Sequence, residues 1–233
     1  MEGRISSVQS LGAVDGPGLR YVVFLQGCPL RCKYCHNPET WDVNGGYTQT
    51  AEALCTTIQR YRTYFAETGG VTVSGGEPLL QPEFTAELFE RLHQVHIHTA
   101  LDTSGAGDLT KAAAVLKHTD LVLCDLKFTT EEDYREHCGG SLRHTLDFLK
   151  LCEELRIPVW IRHVVAPGLT DTVDSMRAVK AICAGFSNIE KIEWLPFKNI
   201  CTTKYESLQI PFPMKDKSAL SQQYIDALLK ELS

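Results

Sequence analysis

The sequence predicts an α/β protein built as a partial (β/α)6 barrel of the TIM type, and three observations carry this expectation. Short apolar runs alternate with amphipathic stretches along most of the chain. Six such runs fall short of the eight units of a complete barrel. Polar or conformationally special residues gather where each run ends, as in α/β folds whose strand ends share one working face.

Leu19–Leu25 reads as the first strand, and Thr50–Glu67 as the helix after it. Gly70–Ser74, Ile97–Leu101, Leu121–Cys124, Val159–Val165 and Ile189–Leu195 supply five more apolar strands. Between them lie amphipathic helices over Pro82–Val95, Asp108–His118, Ser141–Leu155 and Thr172–Ala184, with Ser218–Leu232 closing the chain. A strand–helix–strand order of this kind implies parallel strands under right-handed crossovers. No linker, repeat or low-complexity tract interrupts the pattern, so residues 1–233 are expected to form a single domain.

The strand ends carry the informative residues. They are Gln26-Gly27-Cys28, Ser74-Gly75-Gly76-Glu77-Pro78, Asp102-Thr103-Ser104-Gly105, Asp125-Leu126-Lys127, Arg162 with His163, and Pro196-Phe197-Lys198-Asn199. Six strands ending this way point to one shared site.

Composition narrows the class. The chain has 233 residues, 43% hydrophobic and 22% charged, with net charge −6. Its basic residues are scattered rather than patterned for nucleic acid. No apolar run is long enough to span a bilayer, and the N-terminus lacks a signal-peptide layout, so a cytoplasmic location is expected. The eight histidines show no familiar zinc spacing, and no Ser-His-Asp order or phosphate loop appears.

Three of the nine cysteines, Cys28, Cys32 and Cys35, fall in one short loop with C-x3-C-x2-C spacing. In a reducing compartment such a cluster signals metal or redox chemistry. Zinc sites more often repeat C-x2-C pairs to close four ligands. Three thiolates on a cubane cluster leave one iron open to a further ligand, since such clusters ordinarily take four. A zinc site completed by His36, or three unrelated thiols, are the alternatives.

The loop resembles the signature of the radical S-adenosylmethionine superfamily, as does Ser74-Gly75-Gly76-Glu77-Pro78. The resemblance implies a [4Fe–4S] cluster on Cys28, Cys32 and Cys35, with the open iron chelating S-adenosylmethionine. It implies that Gly75, Gly76 and Glu77 meet the methionyl amino group, and that Tyr34, Cys35 and His36 lie along the cofactor. It places Asp125, Leu126, Lys127, Arg162 and Lys198 among the cofactor contacts. Asp102, Thr103 and Asp125 match ligands of a monovalent cation; turn or capping roles are the other reading for the aspartates.

Val14-Asp15-Gly16-Pro17-Gly18-Leu19-Arg20 resembles the D-G-P-G-x-R stretch of the activating enzymes of glycyl radical enzymes. Cys35-His36-Asn37-Pro38, Trp41-Asp42, Trp160-Ile161-Arg162, Leu195-Pro196-Phe197 and Lys204-Tyr205 extend that resemblance, which is nearest to the pyruvate formate-lyase-activating type. It implies a protein substrate, a glycyl radical enzyme such as pyruvate formate-lyase, with Asp15 and Gly16 contacting its glycine loop. The lack of a cysteine-rich insert between Cys35 and Gly75 implies an external electron donor, flavodoxin or ferredoxin, and the expected state is a monomer. Lys198 and Cys201 depart from the family pattern at the sixth strand, where a histidine often stands near the adenosine. A radical enzyme acting on a small molecule and a zinc-binding interaction module are the rival readings.

Overall fold

The structure is a computed structural model and describes residues 1–232. Its strands are β1 (Glu2–Gly12), β2 (Arg20–Leu25), β3 (Tyr47–Thr50), β4 (Gly70–Gly75), β5 (His98–Thr103), β6 (Leu121–Asp125), β7 (Val159–Val165) and β8 (Ile189–Pro196). The helices are α1 (Ala51–Gln59), α2 (Arg62–Phe65), α3 (Pro82–Gln94), α4 (Leu109–Leu116), α5 (Glu131–Cys138), α6 (Leu142–Glu154), α7 (Val173–Cys183), α8 (Thr202–Ser207) and α9 (Gln222–Leu232). All strands join one sheet in the order β3-β1-β2-β4-β5-β6-β7-β8.

The six strands expected from sequence are β2, β4, β5, β6, β7 and β8, and they pair in parallel in that order. The sheet is not closed on itself, as a partial barrel requires. β1 and β3 add an antiparallel flap beside β2 and were not expected. β1 reads EGRISSVQSLG and is largely exposed past Ile5, so it offers no apolar run.

Other boundaries also shift. The helix expected over Thr50–Glu67 is broken after Gln59, and Ala66 ends α2 at φ 48°. α5 was not expected because its sequence, EEDYREHC, buries only Tyr134 and Cys138. It forms because Thr130 accepts from the Asp133 N–H and Gly139 takes the left-handed conformation at φ 69°. α9 begins at Gln222 rather than Ser218, and α8 follows β8.

Side-chain alternation along β7 shows how the fold builds a site. Val159, Ile161, His163 and Val165 are buried toward the helices, while Trp160, Arg162 and Val164 alternate with them toward the barrel interior. Ala100, Leu121 and Leu123 make an apolar layer with Trp160 across that interior. Polar residues therefore rise above an apolar layer toward the strand C-termini.

His163 is fully buried, and its Nδ1 lies 2.7 Å from the Leu126 carbonyl, to which it donates. Its Nε2 has no hydrogen-bond partner among the described residues. Protonation would bury an unpaired N–H, and burial pulls this histidine from 6.5 down to about 4. The unfolded chain therefore binds the proton first, and stability falls as pH drops from 6.5 toward 4. The loss from this group is about 3 kcal/mol. Denaturant titrations across that range are expected to show the decline in the wild type and a flatter profile in His163→Gln.

Candidate active site

The cysteine loop leaves β2 through Gln26 and Gly27. Gln26 Nε2 donates to the carbonyls of Glu39 at 2.8 Å and Asp42 at 2.7 Å, while Gln81 Nε2 donates to the Gln26 carbonyl at 2.9 Å. Inside the loop, Cys35 N donates to Cys32 O at 3.0 Å. Arg31 N and Lys33 N donate to the carbonyls of Cys138 and His137, which lays the loop along the end of α5. The segment after β8 holds the other side. His36 Nε2 lies 2.7 Å from Lys198 O, Tyr205 OH donates to Cys35 O at 3.1 Å, and Lys204 Nζ donates to Asn37 Oδ1 at 2.9 Å and Glu39 Oε1 at 2.5 Å.

A cavity of about 420 Å³ opens beside this loop at the strand C-termini. Of the residues expected at the site, Asp15, Cys28, Cys32, Tyr34, Cys35, His36, Gly75, Gly76, Asp102, Thr103, Asp125, Lys127 and Arg162 line it. Gly16, Glu77, Leu126 and Lys198 do not. Asp15 precedes β2 and so belongs to the opposite end of the barrel. It reaches the cavity because its loop folds inward, Gly16 taking φ 118° beside Arg20 and Leu123.

Gly75 and Gly76 are required by crowding. A Cβ on Gly75 would lie 2.3 Å from Leu25 N, and one on Gly76 would lie 2.1 Å from Gly27 O. The Glu77 carboxylate, expected to face the cofactor, is fully buried and turned into the protein. It accepts from Leu79 N at 3.0 Å, Thr103 Oγ1 at 2.5 Å, Ser104 N at 2.9 Å and Ser104 Oγ at 2.6 Å. The same bonds occupy the Thr103 hydroxyl. Leu126 is buried, its N–H donating to Arg162 O at 3.0 Å and its carbonyl accepting from His163. Lys198 sends its Nζ to Leu220 O at 3.0 Å, leaving its backbone carbonyl to hold His36.

Charges alternate inside the barrel. Asp102 Oδ2 accepts from Ser74 Oγ at 2.6 Å and Arg162 Nη1 at 3.1 Å, while its buried Oδ1 has no hydrogen-bond partner among the described residues. Burial pushes Asp102 up to about 6 against the pull of Arg162. Asp125 Oδ2 pairs with Lys127 Nζ at 2.6 Å. Burial works against the Lys127 and Arg162 cations, yet the neighbouring aspartates hold both above their usual range. Tyr34 is buried with its hydroxyl 3.4 Å from Lys127 O and its ring beside Phe128.

The donor set at the loop fits an iron–sulfur cluster. All three cysteines are free and border the cavity. Burial pushes Cys28 up to about 12 and Cys35 up to about 11, so thiolates there need a cationic centre. A hydrogen bond with Cys138 and the Lys127 charge outweigh burial at Cys32 and lower it. Among the described residues no three His, Cys, Asp or Glu side chains are grouped tightly enough for a single metal ion. His36, engaged with Lys198 O, completes no closed zinc site. Ser74, Thr72, Arg20 and Cys138 were not singled out from sequence. Ser74 and Arg20 stood inside quoted motifs, whereas Thr72 and Cys138 carried no spacing signal.

Residues 22–178 match the radical SAM superfamily. Over 234 residues the chain is 45% identical to a pyruvate formate-lyase-activating enzyme of Clostridium pasteurianum, covering 99% of this chain and 98% of that protein. It is 41% identical over 235 residues to the Staphylococcus aureus (strain USA300) enzyme of the same name, covering 97% and 94%. The chain belongs to the radical SAM superfamily and, within it, to the pyruvate formate-lyase-activating enzyme family. Radical SAM membership carries a [4Fe–4S] cluster and S-adenosylmethionine as cofactors. Solved structures share the fold. Streptococcus suis SuiB bound to precursor peptide SuiA has TM-score 0.72 at 14% identity, covering 91% of this chain and 44% of that one. A domain of a pyruvate-formate lyase-activating enzyme from Bacteroides vulgatus ATCC 8482 has TM-score 0.57 at 24% identity, covering 70% and 92%.

In this radical SAM chain Glu77 acts as an internal tie. Glu77→Gln would set an amide N–H₂ against donors, and the expected cost is about 2–4 kcal/mol by chemical denaturation. A neutral Glu77→Gln would show that the carboxylate is not needed to join the two strand-end loops.

Proposed function

We propose that the chain reductively cleaves S-adenosylmethionine at a [4Fe–4S] cluster and uses the 5′-deoxyadenosyl radical to take a Cα hydrogen from one glycine of a glycyl radical enzyme, pyruvate formate-lyase. The observation that carries this reading is the near full-length identity to pyruvate formate-lyase-activating enzymes, joined to a cavity that gathers the three-cysteine loop and Asp15.

In this reading Cys28, Cys32 and Cys35 hold the cluster. The Gly75-Gly76 backbone serves the methionyl amino group, with Glu77 fixing the turn from below. Asp102, through its unpaired Oδ1, and Asp125 hold a monovalent cation, with Thr103 supporting through Glu77. Arg162 and Lys127 offset carboxylate charge. Tyr34 and His36 flank the adenosine, and Lys198 acts through the carbonyl that orients His36. Asp15 takes an N–H of the glycine loop, because a glycine offers only its backbone to grip. With Cys55 alone between Cys35 and Gly75, the chain carries no cysteine-rich insert for a second cluster, and an external flavodoxin or ferredoxin reduces the single cluster. The chain works as one domain, as a monomer, in the cytoplasm.

Two measurements test this. Anaerobic reconstitution should give about four irons per chain with acid-labile sulfide, and Cys32→Ser should lose most of both. Incubation with reductant, S-adenosylmethionine and pyruvate formate-lyase should give a glycine-centred radical by electron paramagnetic resonance. Asp15→Asn is expected to slow its formation about tenfold at limiting partner while cofactor cleavage without partner continues. Equal loss of both would overturn the role of Asp15, and no radical with any glycyl radical enzyme would overturn the function.

A further inference from the structure

The loop that carries Asp15 is fastened inside the barrel from two walls. From β4, Thr72 Oγ1 donates to the Asp15 carbonyl at 2.6 Å, and the same oxygen accepts from Arg20 Nε at 2.7 Å. A hydroxyl has one proton to give, so the chain of donation runs from Arg20 through Thr72 to Asp15. Arg20 Nη1 also reaches Pro17 O at 3.3 Å, and Arg20 Nη2 donates to Val71 O. From β7, Arg162 Nη2 donates to Val14 O at 3.4 Å. Three of the loop's carbonyls are thus captured by side chains that are not part of the loop.

Two features exceed what folding requires. Arg20 is fully buried, and among the described residues no carboxylate pairs with it. An apolar residue of similar size would fill that space at lower desolvation cost. The Asp15 carboxylate lines the cavity and has no hydrogen-bond partner among the described residues. The carboxylate faces the open cavity, so its oxygens are free to accept from a ligand N–H in place of solvent. The backbone of Asp15 is therefore tightly held while its side chain stays free.

We propose that Thr72 and Arg20 are positioning residues for substrate capture: they fix the Asp15 backbone so that its carboxylate stands free to accept a backbone N–H from the glycine loop of the protein substrate. This rests on the reading of Asp15 given under Proposed function. Thr72 is the sharper lever, because Thr72→Val keeps the branched shape in β4 and removes only the hydroxyl. Without it Arg20 Nε loses its acceptor and the Asp15 carbonyl its donor.

The test uses the reconstituted holoenzyme and a synthetic peptide carrying the glycine loop of pyruvate formate-lyase. Thr72→Val is expected to raise KM for the peptide about tenfold, with kcat changed less than twofold. Thr72→Ser, which keeps the hydroxyl, is expected to stay within about twofold of wild type on both constants. Iron content and cofactor cleavage without peptide report whether the cluster site is intact. An unchanged KM in Thr72→Val, beside a raised KM in Asp15→Ala, overturns the positioning role and leaves the Asp15 reading standing. An unchanged KM in Asp15→Ala overturns the reading on which it rests. Loss of peptide-free cleavage in Thr72→Val, or failure of Thr72→Ser to rescue, reduces Thr72 to a structural role and overturns the proposal.

Discussion

The ends of β2 and β4 approach so closely that neither Gly75 nor Gly76 has room for a methyl group. That contact fixes where the cysteine loop starts, because Gly27, which leads into it, is the residue Gly76 meets. It also turns Glu77 beneath the loops, where its carboxylate binds Thr103 and Ser104 at the end of β5. One backbone contact and one buried carboxylate thus align three strand ends around a single cavity. A side chain at either glycine would move the cysteine loop, the glycine turn and the Thr103–Ser104 segment together.

Above that foundation the barrel interior is an array of opposite charges held away from water. Arg162 faces Asp102, and Lys127 faces Asp125. For each cation the neighbouring carboxylates outweigh the burial that disfavours its charge. The array is incomplete at Asp102 Oδ1 and Arg162 Nε, buried atoms with no hydrogen-bond partner among the described residues.

The parallel strands were legible because each is a short apolar run ending in residues of unusual chemistry. The antiparallel flap was not, since β1 is polar along its outer half and shows its role only through pairing with β2 and β3. α5 escaped notice for a similar reason: it is polar on nearly every side and is defined by its caps. The cysteine loop was legible from spacing alone. The orientation of Glu77 was not, because a carboxylate after two glycines looks the same whether it faces a ligand or the protein. Only the surrounding N–H and O–H groups decide that, and all of them except the Leu79 N–H come from residues more than twenty positions away. Asp15 shows the converse. Its motif was visible, but a loop at the start of a strand belongs to the wrong end of a barrel until the chain is seen to fold inward.

The join between the cysteine loop and the stretch after β8 differs in kind from the rest of the wall. Elsewhere adjacent strands are zipped by ladders of main-chain bonds, whereas here His36, Tyr205 and Lys204 act as separate clasps. Each clasp is a contact of its own, and none of them is part of a strand ladder. The flank nearest the cysteines is therefore closed by side-chain contacts, whereas the rest of the wall is closed by strand pairing.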